Sequence, residues 1–145
     1  MIAIRRMIAD QCGTTMVEFA LAIPTVVGVL FGIVDFSRAL YAYDLVSSAA
    51  RIGTRYAMVR GSACPTAPAC TVTATQVQTY VRSVVTGITS SSLTVTTTWP
   101  LMSGCAGAPT PGCPVNVVVS YPFSFVIWSK LAITMTASSQ MVISQ

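Results

Sequence analysis

The stretch "FALAIPTVVGVLFGIV", from Phe19 to Val34, decides the fold of this chain. It holds 16 consecutive uncharged residues, and counting from Thr14 with Glu18 included extends it to 21. A membrane-spanning helix needs about 20 apolar residues, so the stretch is long enough only together with its N-terminal flank. Glu18 then lies near the membrane surface, where a charge costs less than at the centre. We predict a transmembrane helix over residues 14–35.

Apolar and small residues continue beyond this segment at spacings of three and four, with no proline before Pro65. They are Phe36, Ala39, Leu40, Tyr43, Val46, Ala50, Gly53 and Ala57. This spacing places them on one helical face. The helix is therefore predicted to continue over residues 36–60, where it is suited to a water-exposed domain of residues 36–145.

A second, short helix is predicted over residues 74–86. Thr73 and Gln76 have the T-x-x-Q spacing of a capping box, in which each side chain bonds the backbone N–H of the other residue. Gly87 suits the position after a helix C-terminus, because glycine adopts a positive φ without a steric clash.

The sequence period then changes to two, which predicts β-strands at about 93–99, 115–121 and 133–143. The simplest arrangement is a three-stranded antiparallel sheet. The predicted fold is therefore α+β and pilin-like, with a long N-terminal transmembrane helix, a short helix and the sheet. The connection "PFSFVIWSK" before the last strand either folds onto the core or, through Trp128 and Lys130, lies at a membrane surface.

Charged residues are few: eight are basic and four are acidic among 145 residues, and there is no histidine. The scattered net charge of +4 lacks the basic runs typical of nucleic-acid-binding proteins. Without histidine, the usual proton shuttles and most transition-metal sites are disfavoured. No nucleophile has a histidine base, and no glycine loop is suited to phosphate. We expect no enzyme activity, nucleic-acid partner, metal or cofactor.

Four of the five cysteines lie in loops rich in proline, glycine and threonine, namely Cys64, Cys70, Cys105 and Cys113. They lack the C-x-x-C spacing of zinc ribbons, which favours disulfides in an oxidising compartment over free thiols. Of three possible connectivities, 64–70 and 105–113 close the shortest loops and cost the least entropy. Cys12 is left over.

The basic residues on the two sides of the transmembrane segment give opposing indications of its orientation. Arg5 and Arg6 precede it, and basic flanks tend to stay in the cytoplasm. Four arginines follow it within residues 36–60: Arg38, Arg51, Arg55 and Arg60. Large domains cross membranes regardless of such charges, and the loop cysteines favour an oxidising exterior. We therefore predict a cytoplasmic N-terminus and a periplasmic domain.

Three motifs resemble the TadE-like family of pilus-assembly proteins, which belong to the tight-adherence, Flp-type branch of bacterial type IV pilus systems. They are "GTTMVEFALAIP" (13–24), "FGIVDFSRALY" (31–41) and "AARIGTRYA" (49–57). The later stretches "LTVTTTWP", "VVVSYPF" and "SSQMVISQ" also look similar to the C-terminal half of the family.

This resemblance implies that residues 1–13 are a leader, which a membrane prepilin peptidase removes between Gly13 and Thr14. Cleavage would also remove Cys12. Glu18 then becomes the fifth residue of the mature chain and precedes Phe19. The resemblance assigns the Glu18 carboxylate to pairing with the α-amino group of a neighbouring subunit. A carboxylate buried without a partner is costly, so such pairing would select one register between subunits.

The implied function is that of a minor pilin or pseudopilin with a structural role in pilus assembly at the bacterial inner membrane. The implied partners are the prepilin peptidase, other pilins or pseudopilins, the major Flp pilin and membrane platform proteins. The alternative is a single-pass anchored periplasmic binding or adhesion module that does not polymerise.

Two further patterns have alternative interpretations. Small residues and a proline recur every four positions at Ala20, Pro24, Gly28 and Gly32. This stripe either forms a face for close helix packing or reflects the frequency of glycine in membrane helices. Pro24 removes one helical hydrogen bond and should bend the helix. Further along, Arg51, Arg55, Asp44 and Ser48 lie near one helical face. That face is either solvated, with weak ion pairs, or contacts a partner subunit.

Overall fold

The computed structural model of the protein describes residues 11–65, 70–126 and 132–144, without the side chains of Gln11 and Cys12. The chain forms two compact units, Met1–Arg38 and Ala39–Gln145, and each is described by itself. The predictions for Arg5, Arg6, Trp128, Lys130 and leader residues 1–10 fall outside the described residues.

Helix α1 spans Gln11–Met58 and contains Pro24. In the first unit, residues 13–34 all have exposed side chains. Within the described residues, α1 is the one helix with the length and apolar composition needed to cross a membrane, and none of its most apolar window is buried. An apolar surface of this kind on every side of a helix is suited to lipid. The helix thus indicates single-pass membrane anchoring.

The second unit combines the C-terminal part of α1 with a short helix and a sheet. Its elements are α2 (Ala74–Val84), a 3₁₀ turn (Ser90–Ser92), β1 (Thr94–Thr98), β2 (Pro114–Ser124) and β3 (Ala132–Val142). The strands form one antiparallel sheet in the order β1-β2-β3. The predicted α+β class is confirmed.

The hydrophobic core of the second unit lies between one face of the sheet and the two helices. Along β2, Val115, Val117 and Val119 are fully buried, while the residues between them are only partly buried. Helix α2 contributes Val77 and Val81 to the same cluster. The sheet therefore shows the alternation expected when one face packs against helices.

The buried face of α1 includes only some of the residues that recur at spacings of three and four. Phe36 is 64% exposed, and Leu40 and Tyr43 are each 55% exposed. The residues that α1 buries in the second unit are smaller: Ala42, Val46, Ala49, Ala50, Gly53, Thr54 and Ala57. Small side chains allow a helix to approach its neighbours closely, and this close approach determines which face is buried.

Two element ends also differ from the predictions. Helix α2 ends at Val84, and Val85 caps it in an extended conformation, whereas Gly87 adopts a φ of 97° in the turn beyond. Strand β2 continues to Ser124 and so includes Pro122. Strand β1 pairs with β2 only as far as Ser120. Pro122 has no N–H to donate, and no β1 residue lies opposite it to accept such a bond.

Candidate assembly segment

The predicted cleavage point lies on an open part of helix α1. The helix includes Gly13 and Thr14, and both residues are exposed. Apart from the adjacent helix backbone, no heavy atom of the described residues lies within 4 Å of the position that a Cβ of Gly13 would occupy. Glycine lowers helix stability by about 1 kcal/mol relative to alanine, so Gly13 weakens the helix locally. The segment is thus exposed in the first unit.

Glu18 and Phe19 follow on the same exposed part of the helix. Phe19 is 67% exposed, and the Glu18 side chain is also exposed. Among the described residues, no basic group forms an ion pair with Glu18. The first unit therefore presents the Glu18 carboxylate on an otherwise apolar surface. None of its described residues neutralises that charge.

The four-residue repeat lies within the exposed helix. Ala20, Pro24, Gly28 and Gly32 are all exposed, and the Cβ positions of both glycines are open. Pro24 lacks an N–H, so it cannot bond the carbonyl of Ala20. These residues leave room for close approach by another helix, and the structure of a single chain shows no such partner.

Sequence reasoning missed an ion pair where the apolar segment ends. The Asp35 carboxylate accepts a bond of 3.1 Å from Nη1 of Arg38, and Asp35 is only 5% exposed. A buried charge requires such compensation. The signal was present in the sequence as an Asp and an Arg three residues apart, which is a spacing that brings side chains together on a helix.

The cysteines of the second unit form two local pairs. Cys64 is bonded to Cys70, and their Cα atoms are 6.2 Å apart. Cys105 is bonded to Cys113, with a Cα separation of 5.7 Å. These are the short-loop pairings that the sequence favoured. In the described part of the chain, no three His, Cys, Asp or Glu side chains cluster as a metal site would require.

A stacked tyrosine pair was not anticipated. Tyr56 of α1 and Tyr80 of α2 have ring centroids 4.0 Å apart and planes inclined by 18°. The guanidinium carbon of Arg60 lies 3.8 Å from the centroid of the Tyr56 ring. No local motif marks this arrangement, because the two rings are 24 positions apart in the sequence and meet only through helix packing.

The fold and this segment define a class of protein that combines an exposed apolar N-terminal helix with a small α+β unit. Comparison with protein families matches residues 13–55 to the TadE-like proteins. This match confirms the resemblance seen in the N-terminal motifs, and it covers less than half of the chain. The matched segment begins at Gly13 and ends within α1. No curated protein and no solved structure matches the chain.

Proposed function

We propose that this protein is a minor pilin or pseudopilin that acts structurally in assembling a tight-adherence pilus. The observation that supports this most directly is the position of Glu18, five residues after Gly13, on the exposed apolar helix of a TadE-like segment. By analogy with the family, the prepilin peptidase cuts after Gly13. The open, locally weakened helix at Gly13 is compatible with that cleavage.

After cleavage, the α-amino group of Thr14 becomes a cation at the end of the apolar helix. The Glu18 carboxylate of a neighbouring subunit is then its partner. Separating these charges within a subunit contact leaves both of them desolvated, which is strongly unfavourable. Glu18 therefore favours the axial offset between subunits that joins the two groups. Its role is structural, and the protein catalyses no reaction of its own.

The protein lies in the bacterial inner membrane with its N-terminus in the cytoplasm and its second unit in the periplasm. There it contacts other pilins or pseudopilins, the major Flp pilin and the membrane platform proteins. The two disulfides of the second unit are compatible with the oxidising periplasm.

N-terminal sequencing and intact mass of the protein from its native membrane test this proposal. We expect a mature chain that begins at Thr14. An untrimmed chain that begins at Met1 would instead support an anchored binding or adhesion module that does not polymerise. Glu18→Gln is the companion variant, because it removes the charge and keeps the shape. We expect the Glu18→Gln protein to insert normally into the membrane and to recover fewer pilus partners. Unchanged recovery would contradict the proposal that Glu18 sets the axial offset between subunits.

A further inference from the structure

Strand β3 forms one edge of the sheet, and its outer side pairs with no described strand. The strand order is β1-β2-β3, and β3 spans the 11 residues Ala132–Val142. It pairs with β2 over its full length in one continuous register. The opposite edge, β1, has only 5 residues. Because an edge strand leaves N–H and C=O groups unpaired along one side, β3 presents the longer of the two edges.

The register determines which backbone groups of β3 point away from the sheet. Just beyond the strand, the N–H of Ile143 donates to the Cys113 carbonyl at 2.9 Å. Backbone groups of successive residues point alternately to the two sides of a strand, so the odd-numbered residues of β3 bond β2. The two prolines of β2 agree with this assignment. Pro114 and Pro122 have no N–H to donate, and both lie opposite even-numbered residues. The even-numbered residues of β3 therefore direct their N–H and C=O groups outward.

Four of these outward-facing residues have no backbone partner. They are Thr134, Thr136, Ser138 and Gln140, and we refer to them as the open edge. No described residue bonds the backbone of the open edge from outside the sheet. The next outward N–H beyond the strand, that of Ser144, donates to the Met58 carbonyl at 3.0 Å, so the end of α1 covers the edge there. The open edge thus offers alternating donors and acceptors over about 20 Å.

Strand β3 lacks several features that usually prevent an edge strand from pairing. Such features include charged side chains, prolines and bulges. Residues 132–142 contain no charge and no proline, and their register contains no bulge. The β1 edge is protected instead. Nε and Nη2 of Arg82 donate to the Leu93 carbonyl at 3.1 and 2.8 Å, and Pro100 follows the strand. This contrast favours β3 as the edge that accepts a further strand.

The side chains of the open edge indicate the chemistry of its partner. They are three hydroxyls and one amide, and all four residues are exposed. The β2 residues opposite them, Asn116, Val118, Ser120 and Pro122, are also uncharged. Cross-strand neighbours on one face interact directly, so a charged side chain beside the open edge would find no counter-charge on this face. The backbone pattern requires an extended segment, and the side chains favour an uncharged one.

The direction of α1 disfavours a second copy as the partner. Within the second unit, Ala42 of α1 clusters with Met135 of β3, and Met58 bonds Ser144 at the other end of the strand. This part of α1 and β3 therefore run in the same direction. Antiparallel pairing of two β3 strands would reverse that part of α1 in one copy, whereas subunits joined head to tail in one filament share a direction.

We propose that the open edge binds an extended, uncharged segment of a different polypeptide, which joins the sheet as a fourth strand. The inference rests on the proposed pilus function, which supplies the common direction of the subunits. It adds a backbone contact in the second unit to the charge contact proposed for Glu18.

The test compares two substitutions at Ser138 in the full-length chain, purified in mild detergent. Ser138→Pro removes one outward N–H and keeps the bonds to β2, because a proline is tolerated where its missing N–H faces away from the sheet. Ser138→Ala is the matched control, since it changes the side chain and keeps the N–H. Both variants should unfold at temperatures close to that of the wild type, which shows that they fold.

The probe is a blocked peptide of about seven residues that alternates threonine and valine. N-methyl groups on alternate residues leave only one of its edges able to form hydrogen bonds, which prevents fibrils. The wild type and Ser138→Ala should bind this peptide with similar affinity, and Ser138→Pro should bind it roughly tenfold more weakly. A peptide that is methylated on every residue should bind none of them. Equal binding by all three proteins, or no saturable binding by the wild type, would overturn the inference.

Amide hydrogen exchange in the same samples tests the assigned geometry. Without peptide, the odd-numbered amides of β3 should be protected and those of the open edge should exchange rapidly. The peptide should slow exchange at the open edge. Protection of the open edge in the isolated monomer would contradict the inference. Self-association of the wild type that Ser138→Pro abolishes would assign the edge to a second copy and overturn the choice of partner.

Recovery of pilus partners from the native membrane separates this inference from the proposed function. Ser138→Pro should recover fewer partners than Ser138→Ala, while the N-terminal mass stays the same in both. Chains trimmed to Thr14 that recover partners equally with either variant would contradict the edge contact alone. Untrimmed chains would contradict the proposed processing, whatever the peptide binding of the open edge.

Discussion

Gly53 of α1 and Val81 of α2 pack so closely that a Cβ on Gly53 would lie 2.9 Å from Cγ2 of Val81. It would also lie 3.1 Å from Cγ1 of Val117 in the sheet. Contacts this short force neighbouring atoms to move. Gly53 therefore lets α1 approach both the second helix and the sheet.

We expect Gly53→Ala to destabilise the second unit by about 1 kcal/mol, because overpacking a core costs about 1–3 kcal/mol and exceeds the gain in helix propensity of about 1 kcal/mol. Denaturant unfolding of the full chain in detergent, with disulfides intact, measures the change. The matched variant combines Gly53→Ala with Val81→Ala, which makes room, and should cost less than the sum of the single changes. A stabilised Gly53→Ala protein would contradict this packing.

The capping box of α2 makes a second prediction. Thr73 Oγ1 accepts from the N–H of Gln76 at 3.3 Å, and the N–H of Thr73 donates to Gln76 Oε1 at 3.0 Å. Thr73→Ala should cost about 1 kcal/mol, the usual effect of losing an N-cap. Thr75→Ala in the same helical turn is the control, and it should change the free energy of unfolding by less than about 0.5 kcal/mol. Equal effects of the two variants would show that the cap contributes nothing specific.

Thr54 connects α1 to the sheet. It is fully buried, and its hydroxyl lies 2.7 Å from the Ala50 carbonyl and 3.2 Å from the Ser139 carbonyl. Thr54→Val keeps the shape but removes the donor, so we expect a loss of about 1–2 kcal/mol in unfolding free energy. Thr54→Ser keeps the hydroxyl and loses only a methyl group. If the valine variant proved the more stable of the two, the hydrogen bond to β3 would not be a source of stability.

The Cys105–Cys113 disulfide should stabilise the second unit through its closed loop. Replacing both cysteines with alanine should cost about 2–3 kcal/mol in the chain-entropy description of such a loop. Cys113 is also buried at 4% exposure, and its carbonyl accepts from the N–H of Ile143 at 2.9 Å. Thermal unfolding of the variant and of the wild type, without reductant, measures the effect. An unchanged midpoint would show that the backbone contacts of this loop suffice without the disulfide.

The local features of this protein could be predicted from its sequence. The uncharged run from Phe19 to Val34 and the alternation in the strands each depend on neighbouring residues. The Thr73–Gln76 capping box and the two short cysteine loops are local in the same sense. The candidate segment from Gly13 to Glu18 was indicated by the resemblance of consecutive residues to the TadE-like family.

Only the tertiary structure decided which face of α1 is buried and which side chains meet across the helices. Tyr43 recurs at helical spacing with other apolar residues, but Ala42 is buried and Tyr43 is exposed, because the sheet approaches the helix where side chains are small. The extension of β2 through Pro122 and the stacking of Tyr56 on Tyr80 have the same origin. Each depends on residues distant in the sequence, and burial is determined by the neighbours that folding brings together.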